Sequence, residues 1–135
     1  MRATTRHAPP PDRRTPPLLR FALALLPFVL AARADAGLAD VVAAEAQCEG
    51  ARCTFLVTVR HGDEGWDHYA DRYEVRDEAG DVLGTRVLRH PHVDEQPFTR
   101  SLAIDVPQKV RSVRIRAHDS KHGEGGRGIA LDLER

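Results

Sequence analysis

After residue 50 the chain alternates between apolar and charged positions. Phe55, Val57 and Val59 interleave with Thr54, Thr58 and Arg60, and Tyr73 and Val75 with Arg72, Glu74 and Arg76. Val113 and Ile115 interleave with Arg114 and Arg116; Ile129, Leu131 and Leu133 with Ala130, Asp132 and Glu134. A period of two gives one apolar face and one solvated face, the mark of antiparallel sheet packed on one side. Asp77-Glu-Ala-Gly-Asp81 and Asp105-Val-Pro-Gln-Lys109 are turn sequences between such strands. The pattern predicts seven strands, over about 40–47, 54–60, 71–76, 82–88, 98–104, 111–117 and 128–134. The first is the least distinct, because Val41-Val42-Ala43-Ala44-Glu45-Ala46 also suits the start of a helix. Seven short antiparallel strands with turns at regular intervals predict an all-β, immunoglobulin- or fibronectin-like β-sandwich. No Trp lies within the third strand, which argues against an antibody domain.

Upstream, the pattern changes character. Met1 to Arg20 is basic and interrupted by Pro9, Pro10, Pro11, Pro16 and Pro17, so no stable helix is expected there. An apolar run follows from Phe21 to Ala32, and then Ala34-Asp35-Ala36, an A-x-A cleavage pattern. Basic, apolar, small: this is the layout of a secretory signal peptide, with cleavage expected after Ala36. A membrane span needs about 20 apolar residues, and this run is shorter and broken by Pro27. Arg13-Arg14 suits a twin-arginine export signal, although its spacing to the apolar run is loose. The expectation is a signal peptide over 1–36 and one periplasmic or secreted domain over 37–135, with no membrane span in the mature chain.

Charge sharpens that division. The chain holds 20 Lys+Arg against 20 Asp+Glu, but residues 1–36 carry six Arg and two acids, which leaves 14 basic and 18 acidic residues for the rest. A net −4 body argues against nucleic-acid binding, which calls for a basic face. Cys48 and Cys53 are the only cysteines and flank Glu49-Gly50-Ala51-Arg52. In an oxidising compartment such a pair across a turn forms a disulfide. The loop it closes is short, so its contribution is about 2 kcal/mol and it pins a hairpin.

The chemistry lies in the histidines. Past residue 36 they are His61, His68, His90, His92, His118 and His122, all within or beside the connections 61–70, 89–97 and 118–127. Successive connections of a sandwich alternate between its two ends, so these three share one end and the disulfide takes the other. Asp63, Glu64, Asp67, Asp94, Glu95, Asp119 and Glu124 lie on the same loops, with Trp66 and Tyr69 beside them. Imidazole suits iron, copper, zinc and nickel, and carboxylates complete the shell. The expected ligands are His61, His68 and His122, with His118 or Asp119 completing the set and His90 and His92 as second choices. His90 and His92 flank Pro91 and are expected on opposite sides of an extended stretch. Solvated loop histidines, and a pH response from several close imidazoles, are the readings without a metal.

Several of these residues form a pattern that resembles a known family. His68-Tyr69 before the third strand, Gly80 and Gly84 around the next hairpin, and Arg116-Ala-His-Asp-Ser-Lys-His-Gly123 are similar to the iron-binding immunoglobulin-like domain of superoxide reductase (desulfoferrodoxin). The resemblance implies a metal at this end, with His68 matching the family's histidine before tyrosine and His122 its histidine before glycine. His61 lies near the first histidine of the loop, but without the proline that follows it in the family. Asp119 stands where the family has its axial cysteine, and Ser120 where it has asparagine. The family's N-terminal histidine has no counterpart in the first strand, which leaves its place to His90 or His92. Thiolate donation is central to that chemistry, so superoxide reduction is not implied.

Three functions follow as expectations. The first is a transition-metal protein, the ion being iron, copper or zinc. The second is a non-catalytic module that recognises another exported protein or a ligand, with Trp66, Tyr69, Phe98 and Arg100 as contact residues, since aromatics and Arg dominate hot spots. A hydrolase built on Ser120 with His118, Asp119 and His122 is disfavoured, because no Gly-x-Ser-x-Gly elbow is present.

Overall fold

A computed structural model describes residues 37–135, and the expected signal peptide lies outside them. Seven strands follow in order: β1 (Asp40–Glu49), β2 (Arg52–Arg60), β3 (Ala70–Arg76), β4 (Val82–Val87), β5 (Phe98–Asp105), β6 (Ser112–Asp119) and β7 (Ile129–Asp132). They form two antiparallel sheets, β1-β2-β5 and β4-β3-β6-β7. The fold is the expected all-β sandwich, with β4 on the sheet of β3, β6 and β7, where a C′ strand belongs. Among the described residues, no helix is long and apolar enough to cross a membrane.

The stretch that also suited a helix is strand β1. It pairs with β2 along its whole length, with one register shift between Val41 and Ala43. Pairing overrides a mixed local preference: β2 supplies the hydrogen bonds, Val41 is buried, and Ala44 and Ala46 pack half-buried against the core.

Alternation puts Cys53, Phe55, Val57 and Val59 of β2 inward, opposite Val113, Ile115 and Ala117 of β6 and Tyr73 and Val75 of β3, all buried. Each large core side chain so buried contributes about 1.5–3 kcal/mol of transfer free energy. At one end Cys48 and Cys53 face each other across the β1–β2 hairpin and are disulfide-bonded. The Arg135 guanidinium closes the same end by donating to the carbonyls of Val106 (3.1 Å), Pro107 (3.2 Å) and Val110 (2.8 Å).

The three histidine-bearing connections meet at the other end. Ser120 N–H donates to the Tyr69 carbonyl (2.9 Å), joining the β6–β7 and β2–β3 connections. His92 N–H donates to Asp63 Oδ2 (2.6 Å) and His61 N–H to Gln96 Oε1 (3.0 Å), joining the β4–β5 connection to the same group.

Candidate metal centre

Strand parity selects the residues that cap the core. The inward column of β2, Cys53-Phe55-Val57-Val59, continues into His61; that of β6, Val113-Ile115-Ala117, ends in Asp119. Both polar side chains therefore sit where a hydrophobic one would be expected, and both are buried, Asp119 completely. His68 joins them through a tight turn: Gly65, at φ +130°, and His68 bridge back on each other. Ala70 then pairs with Asp119 in the sheet.

His61, His68 and Asp119 each offer one ligand atom, and these atoms lie within 4.8 Å of one another. His68 Nε2 is 2.7 Å from Asp119 Oδ2, and His61 Nε2 touches the same oxygen. The other oxygen of Asp119 accepts from the N–H groups of Lys121 (2.7 Å) and His122 (2.6 Å). Gly123, at φ +74°, turns the chain so that its N–H and that of Asp119 exchange hydrogen bonds with each other's carbonyls. A residue with a Cβ is strained in that conformation.

Each imidazole is backed by a carboxylate. Asp63 Oδ1 lies 2.5 Å from His61 Nδ1 and also accepts from Ala70 N–H (3.0 Å). Glu64 Oε2 lies 3.2 Å from His68 Nδ1. Carboxylates accept, so Asp63 and Glu64 favour protons on the two Nδ1 atoms, and each Nε2 facing Asp119 either donates a further proton to that oxygen or offers a lone pair to a cation in its place. A carboxylate behind a histidine is the usual support of a metal-ligating imidazole, fixing tautomer and ring orientation and raising basicity. A cation among the two Nε2 atoms and the Asp119 oxygen would take the place of the protons that these atoms otherwise share. His61 Nε2 is the atom most open to a cation, since it is buried against Asp119 Oδ2 and makes no aligned hydrogen bond among the described residues.

Titration follows the same geometry. Burial pulls the His68 pKa down, but hydrogen bonds to Glu64 and Asp119 outweigh it and lift the group above 6.5. Burial pushes Asp119 up, yet the N–H groups of His122 and Lys121 and the two imidazoles hold it below its ordinary 3.8.

The remaining expected residues fall in three places. His122 stands at the rim, more exposed, with its ring centroid 4.9 Å from that of His68 and its Nδ1 3.3 Å from Asp119 Oδ1. That Nδ1 also lies 3.0 Å from the Gly37 carbonyl, and a Cβ on Gly37 would press into the ring at 3.0 Å. His118 has the opposite parity from Asp119 and points to the outer face, where its Nδ1 meets Asp71 (2.7 Å) and Arg72 (3.0 Å). It is not part of the cluster. His90 and His92 lie beyond Asp63. They do not point to opposite sides, because the chain bends at His90 instead of running extended, and their rings are 4.6 Å apart. His92 stacks on Phe98 at 3.9 Å.

Asp63 and Glu64, read from sequence only as loop carboxylates, prove to be the imidazole supports. Asp63 was detectable in principle, since residue 63 continues the inward parity of β2 beyond His61. Of the expected contact residues, Phe98 is buried in the core and presents no surface, whereas Trp66 is 67% exposed and braced edge-on against Tyr69 at 5.8 Å. Ser120 Oγ accepts from Tyr69 N–H (3.1 Å).

No family model matches the chain. It is similar to a protein of Halomicrobium mukohataei described as a "Putative lipoprotein", with 45% identity over 97 residues, which is 71% of this chain and 48% of that protein. The chain thus spans about half the length of the relative it matches. Among solved structures it resembles a hypothetical protein of Pyrococcus horikoshii OT3, with a TM-score of 0.51 and 17% identity over 73% of this chain and 90% of that one. That likeness concerns the fold alone.

Proposed function

We propose that this chain is an exported protein that binds a transition-metal ion through His61 Nε2, His68 Nε2 and Asp119 Oδ2, with His122 at the open rim. The observation that carries the proposal is the pair of carboxylate-backed imidazoles converging on one buried carboxylate oxygen. Two imidazoles and a carboxylate suit zinc, and the same set is the facial triad of non-haem iron; copper also accepts imidazole. A bound ion would supply Lewis acidity or a redox centre. The chain's own residues hold it, keep Nδ1 protonated on both rings, and shield the inner side from water.

The name of the Halomicrobium relative supports export, as do the basic, apolar and small segments before residue 37 and the paired cysteines. A periplasmic or secreted location fits both. From the resemblance to superoxide reductase we retain the metal alone. His68 and His122 are the matched positions, and the carboxylate of Asp119 replaces the thiolate that drives that family's reaction.

Elemental analysis and titration calorimetry of the untagged protein with zinc, iron(II) and copper test the proposal. One equivalent should bind with submicromolar affinity. His68→Ala should abolish it, and Asp63→Asn, which spoils the support of His61, should weaken it about 10- to 100-fold. Failure of all three ions to bind would reject it.

Trp66 favours a second reading, the recognition of another exported protein through this end. A large aromatic held at a turn tip with two-thirds of its surface in water is an uncommon exposure for its type. A partner captured by the native protein, lost on Trp66→Ala and indifferent to chelator, would support it over the metal.

A further inference from the structure

The side of the sandwich between β4 and β5 carries a second arrangement of polar groups. Arg86 pairs with the inward residue Tyr73, and Arg100 with the inward residue Val57, so both arginines stand at positions that face the space between the sheets. Further along, the two edges pinch together: a Cβ on Gly84 would lie 2.8 Å from the Ile104 side chain. Towards the histidine-bearing end they part, leaving a cleft of about 420 Å³ whose lining includes Arg86, Leu88, His90, His92, Arg100 and Leu102.

The cleft is cationic, and its polar atoms are underused. Arg89 adds a third guanidinium, and among the described residues no carboxylate lines the cleft. Glu95 takes up Arg100 with two contacts, at 3.0 and 3.2 Å. Arg86 Nε is buried without a hydrogen-bond partner, and so are both ring nitrogens of His92, a residue only 4% exposed. Asp63 Oδ2 is 3.9 Å from His92 Nδ1, beyond hydrogen-bond range. The His92 ring lies flat on Phe98, with interplanar angle 12°, so swinging out to water would break that stack. Buried polar atoms without partners call for an explanation, and in a cleft of this size a ligand supplies one. Leu88 and Leu102 provide the apolar wall alongside.

We propose that this cleft binds a small organic anion, its acid head on Arg86 and His92 and its apolar body against Leu88 and Leu102. A guanidinium meets a carboxylate or phosphate in paired, charge-assisted hydrogen bonds, and an imidazole N–H supplies a further donor. The site is separate from the metal cluster and is joined to it through Asp63, whose Oδ2 accepts from His92 N–H, and through Gln96, which accepts from His61 N–H and donates to the His92 carbonyl.

Calorimetry or ligand-observed NMR on the full protein, with and without chelator, tests the inference. The probes are benzoate, its uncharged analogue benzyl alcohol, and inorganic phosphate. Benzoate should bind saturably at about 1 mM or tighter. Benzyl alcohol should bind about tenfold more weakly, as should phosphate, which lacks the apolar body. Arg86→Gln should weaken benzoate about tenfold while leaving metal affinity unchanged. His92→Phe keeps the stack on Phe98 and should also weaken benzoate. Absence of saturable benzoate binding, equal binding of benzyl alcohol or of phosphate, or unchanged benzoate affinity in folded Arg86→Gln and His92→Phe would each overturn the proposal. Chelator should leave benzoate binding intact, which separates this result from failure of the metal reading.

Discussion

The two ends of this sandwich are closed in opposite ways. At the disulfide end, Val106, Val110 and Leu133 continue the core, Cys48 and Cys53 are joined covalently, and Arg135 satisfies three carbonyls. At the histidine end, the inward columns of β2 and β6 terminate in His61, Asp63 and Asp119, ionisable groups placed where apolar ones would be worth more to stability. Burying such groups is unfavourable unless they are paired and hydrogen-bonded. The first end serves the fold, and the second accepts a thermodynamic penalty that the proposed cation would relieve.

That contrast breaks most sharply at Asp119. Asp119→Ala removes the carboxylate shared by both imidazoles and the acceptor of two backbone N–H groups. Without metal it should cost about 3–5 kcal/mol of stability, read from urea unfolding. The wild-type protein should gain stability from zinc, and the variant should gain none. A variant as stable as wild type would mean that the cluster adds nothing net to the metal-free fold.

At the opposite end the effect should be smaller and of another kind. Replacing both cysteines by serine should cost about 2 kcal/mol, through loss of a short loop constraint. Metal affinity should stay within about twofold of wild type, because distant sites act independently. A large loss of metal binding in that variant would show that the two ends are coupled.

The finest test is pH. His68 titrates above 6.5 in the folded protein, so its contribution to the metal-free fold is fully present below 6.5 and lost as pH rises through the folded value. Asp119 titrates below 3.8, so its contribution is present above 3.8 and lost as pH falls through its lower folded value. Both stabilise the metal-free protein between 3.8 and 6.5. A metal ion must displace the His68 proton, so its affinity should fall about tenfold per pH unit below the raised His68 value. Calorimetry in buffers of different ionisation enthalpy should count one proton released in that range. A pH-independent affinity would place His68 outside the coordination shell.

The strands were visible because period-two alternation is a local property of a sheet with one wet face, and each expected strand lies within three residues of an observed boundary. Gathering the loops at one end also followed, since connections between successive antiparallel strands change ends. The same parity, extended past the strand ends, separates Asp119 from His118. It brings His61 and Asp63 inward, and so contained more of the cluster than loop membership alone conveys. The bend at His90 was not legible, because it depends on Phe98 offering a face for stacking and on Asp63 holding the His92 N–H.

Composition and alternation by themselves determined a small β-sandwich with its histidines and its disulfide at opposite ends, because hydrogen-bonded strands and a one-sided core leave little choice. Only the tertiary structure decided which imidazoles share an oxygen, which carboxylates stand behind them, and that Arg86 and His92 face a common cleft. Those relations join atoms from strands far apart in the chain, and their distances depend on register, loop closure and packing at once.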